Sequence, residues 1–159
     1  MTRPDSPAIL FSIRPQYVDR MWGGQKRVEL RRVAPKLALP ATALIYASSP
    51  RMRLELVATA TEVVRTDLET LWTRFGHAAG VSRDEFDDYF SGCMSGVAII
   101  LTDLVPIRRS VTLRRLRRLA GGFRPPQSFR YVYAAELSRL DALIARTTVV
   151  GRDAVAAGV

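Results

Sequence analysis

The stretch Gly23-Gly24-Gln25-Lys26-Arg27-Val28-Glu29-Leu30-Arg31-Arg32 gathers the side chains best suited to recognise a polar ligand. A Gly-Gly turn leads into a charged segment with one lysine and one glutamate among arginines. Val28 and Leu30 alternate with Arg27, Glu29 and Arg31, the period-2 pattern of a half-buried strand. On such a strand Glu29 and Arg31 point the same way, and a carboxylate beside guanidinium groups stays ionised and orients them. Lys26, Glu29 and Arg31, with the backbone N–H groups around Gly24, form a constellation able to bind a nucleobase edge or a phosphate. Trp22, beside the turn, is the aromatic residue placed to reach the same ligand. By spacing alone the pattern fits first a solvated strand face carrying ordinary, weak ion pairs.

A second basic zone holds Arg108, Arg109, Arg114, Arg115, Arg117, Arg118, Arg124 and Arg130, with no acid between Asp103 and Glu136. Leu113 and Leu116 share one face of a short helix, which leaves its arginines mainly outward. Uncompensated like charge on neighbouring turns destabilises a helix, and phosphate contacts are one reason to tolerate it; a solvated helix face is the other reading. Tyr17, Trp22, Phe123, Phe129 and Tyr131 accompany the two zones. A base can stack on such rings, although each also sits in an apolar context that suits core packing.

The 159 residues fit one domain, and the charge balance is basic, at net +9 and a pI near 10.7. Arg is preferred so strongly that Lys26 and Lys36 are the only lysines. Such a field favours anionic partners, nucleic acid above all. Cys93 stands alone, which argues against a disulfide framework and a thiolate zinc site. His77, the single histidine, has no second ligand near it in sequence, so no metal is expected, and no cofactor. Serine-hydrolase and phosphate-loop patterns are missing. Asp84, Glu85, Asp87 and Asp88 fit a solvated helix face. With no secretory leader and no apolar run long enough to span a membrane, a cytoplasmic protein without membrane contacts is expected. The oligomeric state is not legible.

Along the chain, residues 1–7 form a polar, proline-rich, flexible lead. A single domain follows over 8–146, including a C-terminal helix, and 147–159 form a tail. Ala8 to Ile13 suits a buried strand. Pro15 opens a helix to about Trp22, and Gly23-Gly24 stops it. Lys26 to Arg32 and Thr42 to Ala47 are further strands. Arg53 to Val64 alternates, with Leu54, Leu56, Ala58 and Ala60 on one side and Arg53, Glu55, Thr59 and Thr61 on the other. Asp67 caps a helix with Leu68, Leu71, Trp72 and Phe75 on one face. Ser82 to Glu85 match a capping box for the next. These two helices form a paired insertion. Val97 to Leu101 reads as a central strand, interrupted at Pro106 and continued by an edge strand from Ile107 to Val111. Thr112 caps a helix over Leu113 to Leu119, the segment from Pro125 to Tyr133 holds a last strand, and Leu137, Leu140 and Ile144 mark the C-terminal helix. Periodicity leaves an α+β fold open between a small barrel and an open sheet.

Gly24, Lys26, Glu29 and Arg31 spell Gly-x-Lys-x-x-Glu-x-Arg, which resembles the signature of the ASCH domains, a branch of the PUA-like superfamily. Phe11-Ser12-Ile13-Arg14-Pro15 with Tyr17 resembles the family's first strand and its entry into the first helix. Ile45 to Pro50, Gly96 to Ile99 and Pro125 to Tyr131 resemble later segments in the right order. The resemblance covers roughly residues 8 to 133. It implies a small mixed β-barrel of PUA-like type with helices inserted between strands, and a module that binds nucleic acid, RNA or DNA, or a modified nucleoside, a regulator being one form of it. The family also includes amidohydrolases for acetylated cytidine, which use a lysine, a threonine and a glutamate, and proteins that cut RNA. Lys26 occupies the lysine position, whereas Glu29 stands at the threonine position and offers no hydroxyl nucleophile. The alternatives are therefore a nucleoside-processing hydrolase or ribonuclease using Lys26 and Glu29, and a basic protein–protein adaptor.

Overall fold

The computed structural model describes residues 6–149; residues 1–5 of the expected lead and 150–159 of the expected tail lie outside the described residues. Six strands form one sheet: β1 (Ala8–Ile13), β2 (Val28–Arg31), β3 (Ala41–Ala47), β4 (Arg53–Asp67), β5 (Ser95–Thr112) and β6 (Phe129–Val132), in the order β2-β5-β4-β3-β1-β6. Only β1 and β3 run parallel; every other pairing is antiparallel. The sheet curls into a half-barrel, so that Arg31 on the edge strand β2 reaches the Ser12 carbonyl on β1. The PUA-like barrel architecture is thus present.

Five helices decorate it among the described residues: α1 (Pro15–Trp22), α2 (Leu68–Phe75), α3 (Arg83–Tyr89), α4 (Leu113–Leu119) and α5 (Ala134–Val149). Pro15 begins α1 with its φ preset for a helix and no N–H to leave unpaired. The Asp67 carboxylate accepts from the Thr70 N–H at the start of α2, and Ser82 with Glu85 forms a reciprocal capping box on α3. Thr112 Oγ1 accepts from the Arg115 N–H to begin α4.

The curled sheet separates three apolar clusters. Ile9, Phe11, Ile45, Leu56, Ala58, Val97 and Ile99 fill the barrel interior. Leu10, Leu44, Tyr46, Leu54, Phe123 and Leu140 pack between the outer face and helices α4 and α5. Val28, Leu30, Leu71, Phe86 and Phe90 pack under the α2–α3 insertion.

Three details depart from the periodicity reading. The segment from Lys26 to Arg32 keeps strand geometry only over Val28–Arg31, with Lys26 making an isolated bridge to Ala79. Its charged side is not solvated, because β2 is covered on both faces, by the insertion and by the barrel interior. Second, Leu54 and Leu56 face different clusters, since a bulge at Glu55 shifts the register against β3 and β5 and inverts the alternation. Third, Pro106 does not break β5, which is one strand of 18 residues. Strand β2 covers only Val97 to Ile100, so the Pro106 half has an unpaired side that does not require its missing N–H.

Candidate functional site

Lys26 and Glu29 are nearly inaccessible, at 3% and 4% exposure. Lys26 Nζ donates to the Val28 carbonyl at 2.8 Å and to the Ala79 carbonyl at 2.7 Å, and lies 3.0 Å from Glu29 Oε2. Glu29 Oε1 meets Arg31 Nη1 at 2.5 Å. Burial is the largest influence on Lys26 and lowers its pKa below the ordinary lysine value, while Glu29 opposes that shift. Two N–H groups go to carbonyls and the third side faces a carboxylate, so the ammonium is the form that fits. Gly80, at φ +66°, allows this approach: a Cβ there would lie 2.6 Å from Lys26 Cβ.

Arg31 continues the chain of contacts inward. Its guanidinium lies over the Phe11 ring at 5.5 Å and donates to the Leu30 and Ser12 carbonyls. Glu29 therefore bridges two cations that tie β2 to the insertion on one side and to β1 on the other. The turn does not extend this cluster toward a ligand. The N–H groups of Gly23, Gly24, Gln25 and Lys26 all donate to carbonyls of α1. Trp22 is half exposed and lines a different cavity, with Arg51, Glu55 and Arg108.

The second basic zone has the opposite character. Arg108, Arg109, Arg114, Arg115, Arg117, Arg118 and Arg124 are all exposed, and none takes part in an ion pair among the described residues. Arg130 differs: it lies over Phe123 at 5.2 Å and makes a two-point contact with Glu136 at 2.7 and 2.9 Å.

Beneath this surface the structure adds residues that the sequence reading passed over. Tyr46 is 2% exposed, and its hydroxyl has no hydrogen-bond partner among the described residues. Burial raises its pKa above 10, partly opposed by the nearby Arg117 charge, so at neutral pH it remains a donor. Its ring packs on Phe123 at 6.0 Å. Tyr46 pairs with Ser12 across β3 and β1, and the Ser12 N–H donates to the Ser128 carbonyl. Ser128, Ser12 and Tyr46 thus form one row across three neighbouring segments. The available signal was a hydroxyl inside the otherwise apolar run from Ala43 to Ala47, which reads first as core. No group of three or more potential metal ligands gathers among the described residues.

A curled mixed sheet, sealed by a Lys–Glu–Arg cluster and elaborated by helices, defines a small barrel domain of the PUA-like class. The chain belongs to the ASCH family. A model described as "Domain of unknown function (DUF365)" matches residues 6–124. The ASCH domain-containing ribonuclease of Zymomonas mobilis is 34% identical over 140 residues, covering 88% of this chain and 94% of that one. The crystal structure of the Zymomonas mobilis ASCH protein superposes with a TM-score of 0.80 at 34% identity, over 86% of this chain and 94% of the other. A variant of that protein with a serine changed to alanine gives 0.81 at 33% identity, over 89% and 99%. The N-terminal domain of Staphylothermus marinus McrB, at 10% identity and a TM-score of 0.53 over 86% and 92%, shares the fold alone.

Proposed function

We propose that the protein binds RNA as a single strand, with the backbone lying along the arginine surface of β5, α4 and the following turn. The observation that carries this reading is a set of seven exposed arginines that have no ion pair among the described residues, set over a buried tyrosine hydroxyl that has no partner there. Strand phosphates supply the counter-charge that the guanidinium groups lack, and one that displaced the cover over Tyr46 would also accept from its hydroxyl. The 34%-identical relative that acts as a ribonuclease supports RNA as the nucleic acid. The test is salt dependence. Binding of a labelled single-stranded RNA should weaken steeply with ionic strength, at roughly 0.7 log unit per phosphate contact for each log unit of salt. No binding at low salt would overturn the proposal and favour the adaptor reading.

A second reading is ribonuclease action at the same phosphodiester, favoured by the position of Tyr46 beside Arg117 and by the name of that relative. In such a step the RNA 2′-oxygen attacks phosphorus, its proton passes to a base, and the 5′-oxygen leaves with a proton. Arg117 suits the charge that builds on the phosphoryl oxygens, and a protonated Tyr46 suits donation to an oxygen. Lys26 and Glu29 are poorly placed for this work, since their polar atoms are turned on one another and on backbone carbonyls. Cleavage should leave a 2′,3′-cyclic phosphate, spare DNA and fall in Tyr46→Phe. Cleavage of DNA at a similar rate would exclude 2′-oxygen attack.

A further inference from the structure

On the far side of α1 from Lys26 lies a cavity of about 310 Å³, large enough for one small planar ligand. Its lining includes Trp22, Arg51, Glu55 and Arg108. Glu55 is the bulge residue of β4: Leu54 pairs with Tyr46 and Val111, whereas Leu56 pairs with Ile45 and Pro106. Bulges re-aim side chains and recur beside functional sites. The Glu55 side chain is 7% exposed and meets Arg51 Nη1 through Oε2 at 3.2 Å, while Oε1 has no partner among the described residues. Asp19 grips Arg51 with both oxygens, at 2.8 and 3.1 Å, and so fixes the guanidinium that holds Glu55. Trp22 is 49% exposed at the cavity, and Arg108 there is unpaired among the described residues.

We propose that this cavity takes one unstacked nucleobase carrying an exocyclic amino group, from the strand whose backbone runs along the arginine surface. Trp22 offers a stacking surface, Glu55 Oε1 accepts an amino N–H, and Arg108 holds the adjoining phosphate. Cytosine, adenine and guanine carry such a group. Uracil presents its one N–H between two carbonyl oxygens, which repel the carboxylate. The inference rests on the RNA-binding reading and adds base selectivity to it.

The test uses the full chain with Trp72→Phe, which leaves Trp22 as the single tryptophan, titrated with short oligo-C, oligo-A and oligo-U. Oligo-C and oligo-A should change Trp22 fluorescence on binding and bind about tenfold more tightly than oligo-U. Glu55→Gln should shrink that preference, and Trp22→Ala should weaken binding of oligo-C and oligo-A by about tenfold while leaving the salt slope unchanged. Should Glu55→Gln fail to fold, the fluorescence and the base ranking in the Trp72→Phe chain still decide. Steeply salt-dependent binding with no Trp22 response, or with equal affinity for oligo-U, would overturn the cavity assignment and leave the arginine surface standing. No binding of any oligomer would overturn both.

Discussion

The two charged regions of this molecule are both rich in basic residues and have opposite environments. Around Lys26, Glu29 and Arg31 each charge meets an opposite one at 3.0 Å or less, the carboxylate and lysine are almost wholly buried, and the lysine also meets two carbonyls. Around α4 the arginines outnumber every acid in reach and face solvent. Ion pairs removed from water hold a shape, because breaking one leaves a charge that neither protein nor solvent can compensate. Exposed unpaired charges add little to folding and remain available to a partner. On this comparison the family's signature cluster is built as a clasp of the barrel, and the proposed RNA surface lies apart from it.

The largest expected effect breaks the clasp. Lys26→Ala leaves Glu29 buried with one cation fewer, at a cost of about 3–5 kcal/mol, measured by urea unfolding. A Lys26→Ala protein that melts normally yet loses RNA affinity would reverse the roles of the two regions. On the other side, changing Arg114, Arg115, Arg117 and Arg118 to glutamine should leave the unfolding midpoint unchanged or slightly higher. RNA affinity should fall alike for all sequences, and the salt slope should flatten by about 0.7 log unit per lost phosphate contact. An unchanged slope would make the helix a merely solvated surface.

Tyr46→Phe sharpens the contrast at a single atom. Removing a hydroxyl without a partner should not lower stability, whereas losing its hydrogen bond to a charged phosphate should weaken RNA binding by about 1.5 kcal/mol. A large drop in stability would mean that the hydroxyl serves the core. The smallest effect concerns the caps of the insertion that covers β2. The Thr70 N–H holds the Asp67 pKa below its ordinary value, and the Ser82 N–H does the same for Glu85. A depressed carboxylate pKa contributes stability above the unfolded value, near 3.8 for Asp67 and 4.5 for Glu85, that is lost as pH falls through the folded one. Melting temperature should therefore drop on acidification below those values, and Asp67→Asn, which keeps the cap but cannot titrate, should make the drop shallower. An identical acid profile in Asp67→Asn would remove Asp67 from that account.

Local signals carried most of the elements. Pro15 and Gly23-Gly24 bracket α1 at both ends, and Asp67, Ser82 and Thr112 mark helix starts because a side-chain oxygen three residues before a free N–H satisfies it whatever lies around. Alternation puts Glu55 on the wrong side for the complementary reason. A bulge is a mismatch between strands, and no single strand's alternation records it. Half of the candidate site was legible in the same way: the arginines announce themselves by type and by the missing acids between Asp103 and Glu136. Tyr46 did not, because a tyrosine in an apolar run is usually satisfied core.

By itself, then, the order of residues determined the α+β element sequence, the helix caps, the excess of positive charge and the ordered motifs of the family, all of which depend on neighbours in the chain. Which charges are buried was a tertiary decision. Glu29 and Arg31 alternate with Val28 and Leu30 as on any half-solvated strand, and only the curl of the sheet, bringing β2 back toward β1 beneath the α2–α3 insertion, removes water from both faces. The desolvation that turns Lys26 into a clasp, and the packing that leaves Tyr46 Oη without a partner, come from segments distant in sequence. Burial is a property of what arrives from elsewhere in the chain, and spacing along one strand does not encode it.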